Sequence, residues 1–274
     1  TGHMENEIVE PGPLEDLFAM FERVSRRVGG ATASSAMPLE RPILQAFENY
    51  IKGLIASATA ARIGYLESAI KLGPGFDRAR LALWAVHHEQ GSGQAALLAA
   101  AAVPEASPYY ARARFSVALS LIQLKRFEEA FATLRTLNDR SPSSTVLNNI
   151  GVVQLRRPGT PQAGLATYYF NQALKLDQDD PDYCFNLGYA YWAEKDAQAA
   201  IFWLREAVRR NPADGEAHAV LAAALQTTGA TTEASREREL ATQLSSTYAE
   251  WAKTPANREP IPRGLERLKP SLDA

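Results

Sequence analysis

Apolar residues in this chain fall on helical spacings, and the same spacing returns at nearly constant intervals. Between Pro181 and Asp214, Cys184, Leu187, Gly188 and Tyr191 stand at i, i+3, i+4 and i+7, which is one stripe of a helix. Ala200, Leu204, Ala207 and Val208 repeat the pattern after a short polar break. Gly188, Ala200 and Ala207 are small enough to let two helix axes approach where the stripes meet. Pro212 has no amide hydrogen to continue a helix and ends the second one. The stretch is predicted to form one helical hairpin of 34 residues.

The small–large pattern recurs along the chain. Residues 43–76 carry Ala46, Tyr50, Gly53, Leu66, Ala69 and Pro74; residues 77–110 carry Leu83, Gly91, Ala96 and Pro108. Residues 111–143 carry Val117, Ala118, Leu121, Phe127, Ala130, Leu134 and Pro142. Residues 144–180 carry Leu147, Ile150, Gly151, Ala166, Phe170 and Ala173, with extra residues in the internal turn around Pro158–Pro161. Residues 215–248 carry Leu221, Ala222, Leu225, Gly229 and Ala234. Six units at spacings of 33 to 37 residues are the signature of a repeat architecture, in which each hairpin buries its apolar face against the next.

Leu187, Gly188, Tyr191, Ala200, Leu204, Ala207 and Pro212 resemble the tetratricopeptide repeat (TPR) family. Cys184 stands where that family usually has Trp, Lys195 where it often has Gly, and Arg62 and Trp84 where it prefers small residues. The resemblance covers about three quarters of the chain. It implies an all-α solenoid, a right-handed superhelix whose first helices line a concave inner surface.

The flanks differ in character. Residues 1–4, TGHM, read as the remnant of a cleaved expression tag. Residues 5–42 combine an extended leader, an amphipathic helix at 14–28 and a linker-like GGATASSAMPLERP. In the helix Leu14, Leu17, Phe18, Phe21, Val24 and Val28 share one face, and Gly29 and Gly30 end it. The solenoid is assigned to 43–253, with the last helix running on as a cap through Leu240, Leu244, Tyr248 and Trp251. Residues 254–274 hold four prolines and read as an extended tail.

Charge and composition narrow the function. A net charge of −2 and the absence of a basic stripe argue against nucleic acid as a partner. No stretch has the apolar length of a membrane span. One cysteine excludes an intramolecular disulfide framework. The compartment stays open between cytoplasm and periplasm. Arginine-rich, alanine-rich composition, with lysine only at 52, 71, 125, 175, 195, 253 and 269, fits a GC-rich bacterial genome.

Candidate chemistry is sparse. His87 and His88 are adjacent, so they point about 100° apart on a helix and do not make a two-ligand metal site. His218 sits at a large core position. Asp177, Asp179, Asp180 and Asp182 lack the glycine and distal glutamate of a calcium loop and read as a solvated turn that caps the next helix. Cys184 is expected to be buried and inert. No phosphate loop, nucleophile elbow or paired-carboxylate site appears, so neither catalysis, metal nor cofactor is expected.

What remains is a surface. Carrying the family's lining positions onto this chain selects Arg112, Phe115, Leu119 and Ile122 from the third unit, and Asn148, Asn149, Val152, Leu155 and Arg156 from the fourth. Phe185, Asn186, Tyr189 and Trp192 come from the fifth. Phe115, Leu119 and Ile122, and again Phe185, Tyr189 and Trp192, form second apolar stripes beside the packing stripes, more than stacking requires. Asn carries both a donor and an acceptor, so Asn148, Asn149 and Asn186 can hold the backbone of an extended peptide whatever its sequence. Arg78 and Arg112 lie toward one end of this surface, Asp182 and Glu216 toward the other. Leu81 and Ala85 replace the Lys and Asn of the two-carboxylate clamp, which argues against binding of chaperone C-termini.

The expected function is therefore a non-enzymatic protein–protein interaction module that binds a peptide or amphipathic helix in the concave groove. Two alternatives stand beside it. One is a self-association scaffold in which the helix at 14–28 docks in the groove of its own or another copy, giving a homodimer. The other is an accessory domain of a larger enzyme or membrane-associated protein.

Overall fold

The computed structural model describes residues 12–13, 16–29, 42–157, 164–254 and 259–272. The tag remnant, most of the leader and linker, Leu14, and the turn at Pro158–Pro161 lie outside the described residues. So do the side chains of Leu17 and Val28. The described residues form helices and connections, with no strand among them. The chain divides into two units, Thr1–Leu124 and Lys125–Ala274.

In the first unit α1 (Leu17–Gly29) precedes two hairpins, α2 (Leu44–Ile55) with α3 (Thr59–Leu72) and α4 (Asp77–Glu89) with α5 (Gly93–Ala101), followed by α6 (Tyr110–Gln123). The core runs through the predicted positions Ala46, Leu66, Ala69 and Ala96, which are completely buried, and adds Ala79. Phe18 of α1 packs edge-on against Phe47 of α2, with ring centroids 5.1 Å apart. The amphipathic helix thus meets the first hairpin of its own unit. Arg62 and Trp84, which occupy positions the TPR pattern keeps small, both find polar partners. Arg62 Nη1 donates to Glu89 Oε2 at 3.1 Å, linking α3 to α4. Trp84 Nε1 donates to Ser120 Oγ of α6 at 2.9 Å, and its ring stacks on His88.

The second unit contains α7 (Phe127–Arg140) and three hairpins: α8 (Ser144–Arg156) with α9 (Ala166–Leu176), α10 (Pro181–Ala193) with α11 (Ala197–Arg210), and α12 (Gly215–Thr227) with α13 (Thr231–Leu244). A final helix, α14 (Ser246–Ala252), follows. Here the structure departs from a single extended capping helix. Ser245 is extended, at φ −123° and ψ 106°, and its hydroxyl accepts from the Tyr248 amide, so it ends α13 and caps a separate α14.

Two features explain why this sequence makes close-packed hairpins. A Cβ on Gly188 would stand 2.7 Å from Leu204 Cγ, so only glycine allows α10 and α11 to lie this near each other. The turns of three hairpins also hold a left-handed residue: Gly91 and Gly229 supply it freely, whereas Lys195 adopts φ 66° with a side chain attached. Replacing Lys195 with Gly is therefore expected to stabilise the fold by about 1 kcal/mol, read as a raised midpoint in chemical denaturation. An unchanged or lowered midpoint would refute the strain.

Candidate functional site

Three inner helices of the second unit, α8, α10 and α12, lie side by side and bring the predicted asparagines together. Asn148, Asn149 and Asn186 are completely buried, yet none is left unpaired. Their partner is the C-terminal segment of the same chain. Asn186 Nδ2 donates to the Arg267 carbonyl at 2.8 Å, and the Arg267 amide donates back to Asn186 Oδ1 at 2.7 Å. Asn149 treats Lys269 the same way, donating to its carbonyl at 2.9 Å and accepting from its amide at 2.8 Å. Asn148 Nδ2 adds a second donor to the Arg267 carbonyl at 2.9 Å, and its own Oδ1 accepts from Asn186 Nδ2 at 2.7 Å. Two side-chain amides thus grip alternate residues of an extended strand, imitating the exchange of a β-ladder.

Alternation also sorts the side chains, because residues two apart on an extended strand point the same way. Arg267 reaches Asp214 through both terminal nitrogens at 2.6 Å, Asp182 at 3.0 Å and Glu216 at 3.5 Å. Its guanidinium lies 3.8 Å above the Phe185 ring centroid. Lys269 pairs with Asp180 at 2.5 Å and Asp182 at 2.7 Å, and its ammonium lies 5.0 Å from the Tyr183 ring centroid. Glu266 meets Arg156, at the end of α8, at 2.6 Å. A forked, bidentate guanidinium–carboxylate pair over an aromatic face is among the stronger polar arrangements available to a protein.

The acidic side of the site is built by the helix starts. Asp180 accepts from the Asp182 amide and Asp214 from the Ala217 amide, so each caps its helix while its other contacts take a cation of the tail. The acidic turn is thus a cap, as its sequence suggests, but it is not merely solvated. Asp180 and Asp214 stand 34 residues apart, as do Asp182 and Glu216, so the repeat itself duplicates this pair of carboxylates. That spacing was the available signal for Asp180 and Asp214, which the lining positions alone omit.

The apolar surplus on α10 is covered. Phe185, Tyr189 and Trp192 stack as a row, with successive centroids 6.1 and 6.2 Å apart. Phe185 is fully buried beneath Arg267, Tyr189 is buried, and Trp192 is half-buried. Burial pushes the Tyr189 phenol up, as does the nearby Glu266, against hydrogen bonds with the backbone of Gly264 and Leu265. Of the remaining fourth-unit residues, Val152 is buried and Leu155 half-buried. In the first unit Phe115, Leu119 and Ile122 are buried and Arg112 is exposed, while Arg78 packs against Tyr109. His218 is a core residue, with Nδ1 2.5 Å from Glu237 and Nε2 donating to the Pro212 carbonyl at 3.1 Å. Cys184 is buried, and burial pushes its thiol up.

Charge state follows from this geometry. Burial alone would raise the Asp182 carboxyl, but the Lys269 ammonium and Arg267 guanidinium outweigh it and hold it below the usual carboxylate range. Burial alone would lower Lys269, but Asp180 and Asp182 hold it above the usual lysine range. A depressed acid stabilises docking above its free value and loses that contribution as pH falls through its docked value; a raised base does so in the opposite sense. Docking of the tail is therefore expected to be constant from about pH 5 to 9, and to weaken below about 4 and above about 10.5. A nitroxide at position 271 in Ser271→Cys, where the unreactive Cys184 does not compete, would report immobilisation over that window. Mobility that is constant from pH 3 to 11 would exclude these ion pairs as the fastening.

Comparisons with known proteins agree with the architecture. The tetratricopeptide repeat family pattern matches residues 181–214, the hairpin of α10 and α11. No curated protein sequence matches the chain. Among solved structures, the chain is similar to the Cut9–Hcn1 hetero-tetramer of the APC/C, with a TM-score of 0.59 and 18% identity, over 82% of this chain and 43% of that one. It is also similar to YrrB, a TPR protein with an unusual peptide-binding site, with a TM-score of 0.52 and 15% identity, over 69% and 97%. A thermophilic TPR protein of Thermus thermophilus matches with a TM-score of 0.51 and 19% identity, over 66% and 99%. Among the described residues no helix is long and apolar enough to cross a membrane. Residues 181–214 thus carry a tetratricopeptide repeat, and the chain as a whole shares the all-α solenoid fold of solved TPR proteins.

Proposed function

We propose that the second unit is a peptide-recognition module that holds an extended protein segment against α8, α10 and α12 and performs no covalent chemistry. One observation carries the reading: Asn149 and Asn186 each exchange two hydrogen bonds with the backbone of a single residue in the chain's own tail. Backbone contacts of this kind do not depend on which side chains the segment bears, so a site that holds this tail can hold another strand of suitable length. The likeness to YrrB, a TPR protein with a peptide-binding site, supports the same general role.

The self-association reading takes a changed form. The segment in the groove of the second unit is not an amphipathic helix but an extended strand, and a strand can be donated by the same chain or by another copy. A fluorescent peptide with the sequence of residues 260–274, titrated against the full chain bearing Arg267→Glu and Lys269→Glu, is expected to bind with micromolar affinity. Adding Asn149→Ala and Asn186→Ala is expected to abolish that binding. A peptide that binds equally well without the two asparagines would show that the groove is not the site.

A further inference from the structure

We infer that the groove selects segments of the pattern acidic–Arg–any–Lys from a partner protein, and that residues 266–269 of this chain are the built-in competitor for that partner. This inference rests on the peptide-recognition reading above and adds the ligand's chemistry. The backbone grip is indifferent to sequence, so specificity must come from the side-chain subsites, and these are not symmetric. The Arg267 position meets three carboxylates, those of Asp182, Asp214 and Glu216, over an aromatic face. Only a planar guanidinium can use both oxygens of Asp214 and stack on Phe185 at once, so lysine there loses one hydrogen bond and the stacking. The Lys269 position meets Asp180 and Asp182 as a point charge beside Tyr183. The position before Arg267 meets the single cation Arg156, which prefers an acid. Leu268 lies between the two gripped residues with its half-buried side chain on the opposite side of the strand, and among the described residues no hydrogen-bond or ion-pair partner faces it, so charge does not select the residue there.

Occupancy in cis sets the affinity seen from outside. A short connection from α14 keeps the tail at an effective concentration on the order of millimolar. Against an intrinsic dissociation constant on the order of 10 μM, that weakens an external segment of equal quality about a hundredfold. The competition is also self-consistent: four carboxylates gathered at one site repel one another, so the tail supplies counter-charges until a partner brings its own.

The test uses labelled 15-residue peptides with the sequence of residues 260–274, each with one replacement, measured by fluorescence anisotropy. They are titrated against the wild-type full chain and against the full chain carrying Arg267→Glu and Lys269→Glu. Lys269→Glu alone serves if the double variant does not fold. The tail-released chain is expected to bind the parent peptide. Replacing its Arg267 by Ala should weaken that binding about tenfold or more, and replacing it by Lys should weaken it several-fold. Replacing Leu268 by Ala should leave it within twofold. The wild-type chain should bind the parent peptide at least tenfold more weakly than the released chain does. Equal affinity across the panel would overturn the ligand class and leave the peptide groove standing. No binding of any peptide to the released chain would overturn the groove itself. A wild-type chain that is dimeric, and that the parent peptide converts to monomer, would show that a second copy supplies the strand and would overturn competition in cis.

Discussion

Replacing Leu204 with Ala is expected to cost roughly 3 kcal/mol of stability, and Gly188→Ala a further substantial loss, yet the two together should cost less than their sum. Leu204 is completely buried at the α10–α11 crossing, and loss of a buried leucine side chain leaves a cavity as well as lost transfer energy. The Gly188 methyl, in turn, would stand 2.7 Å from Leu204 Cγ and 3.1 Å from Cδ2. In the double variant those two atoms are gone and the new methyl enters the vacated space. The Leu204 amide nitrogen, 3.1 Å from the same methyl, remains, so relief is partial. A double-mutant cycle by chemical denaturation should therefore give an interaction energy on the order of 1 kcal/mol in the compensating direction. Strict additivity would mean that the crossing is not set by this pair.

The second large effect falls on the tail rather than the fold. Asn149→Ala with Asn186→Ala removes four hydrogen bonds to the tail and would leave the Arg267 amide and both backbone groups of Lys269 short of partners, at a cost of about 1–3 kcal/mol for each buried group, with only Asn148 still donating to the Arg267 carbonyl. The chain does not have to bear that cost. It can release the tail, returning those groups and the carboxylates Asp182 and Asp214 to water, so the loss is capped at the free energy of docking. The helices are expected to stay folded while trypsin cleavage after Arg267 accelerates by about 10- to 100-fold, since cleavage follows the population of the undocked tail. A cleavage rate equal to that of the wild-type chain, with an unchanged helical signal, would show that the asparagines do not hold the tail.

The sequence announces the hairpins because their constraints are local and periodic. Gly188 and Leu204 are close in sequence and repeat a pattern that returns along the chain. The asparagines are legible for a related reason: a repeat places equivalent positions on the same surface, so Asn148, Asn149 and Asn186 can be assigned to one face once the period is recognised. The carboxylates Asp180 and Asp214 are half legible. Their capping role follows from the residue preceding each helix, but their role toward the tail depends on what lies across from them.

The tail is legible only as extended. Residues 264–269 have no apolar period, and their partners Asn149 and Asn186 lie 120 and 81 residues away. Nothing in the local sequence encodes that pairing. The clue is a complementarity of two spacings. Arg267 and Lys269 are two apart, as a strand requires if both are to face one side, and the acidic pairs recur at 34. The spacing of Phe185, Tyr189 and Trp192 signals apolar surface beside the packing stripe. What covers it in this chain is a guanidinium and a stretch of backbone, which hydrophobic patterning does not reveal.

Hydrogen exchange of the tail amides, resolved by residue in the full chain at neutral pH, tests the central claim most directly. Arg267 and Lys269 donate their amides to buried asparagine side chains, whereas the Leu268 amide between them has no partner among the described residues. Slow exchange at 267 and 269 flanking faster exchange at 268 is the predicted result. Uniform exchange at the rate of a free peptide across all three would contradict it.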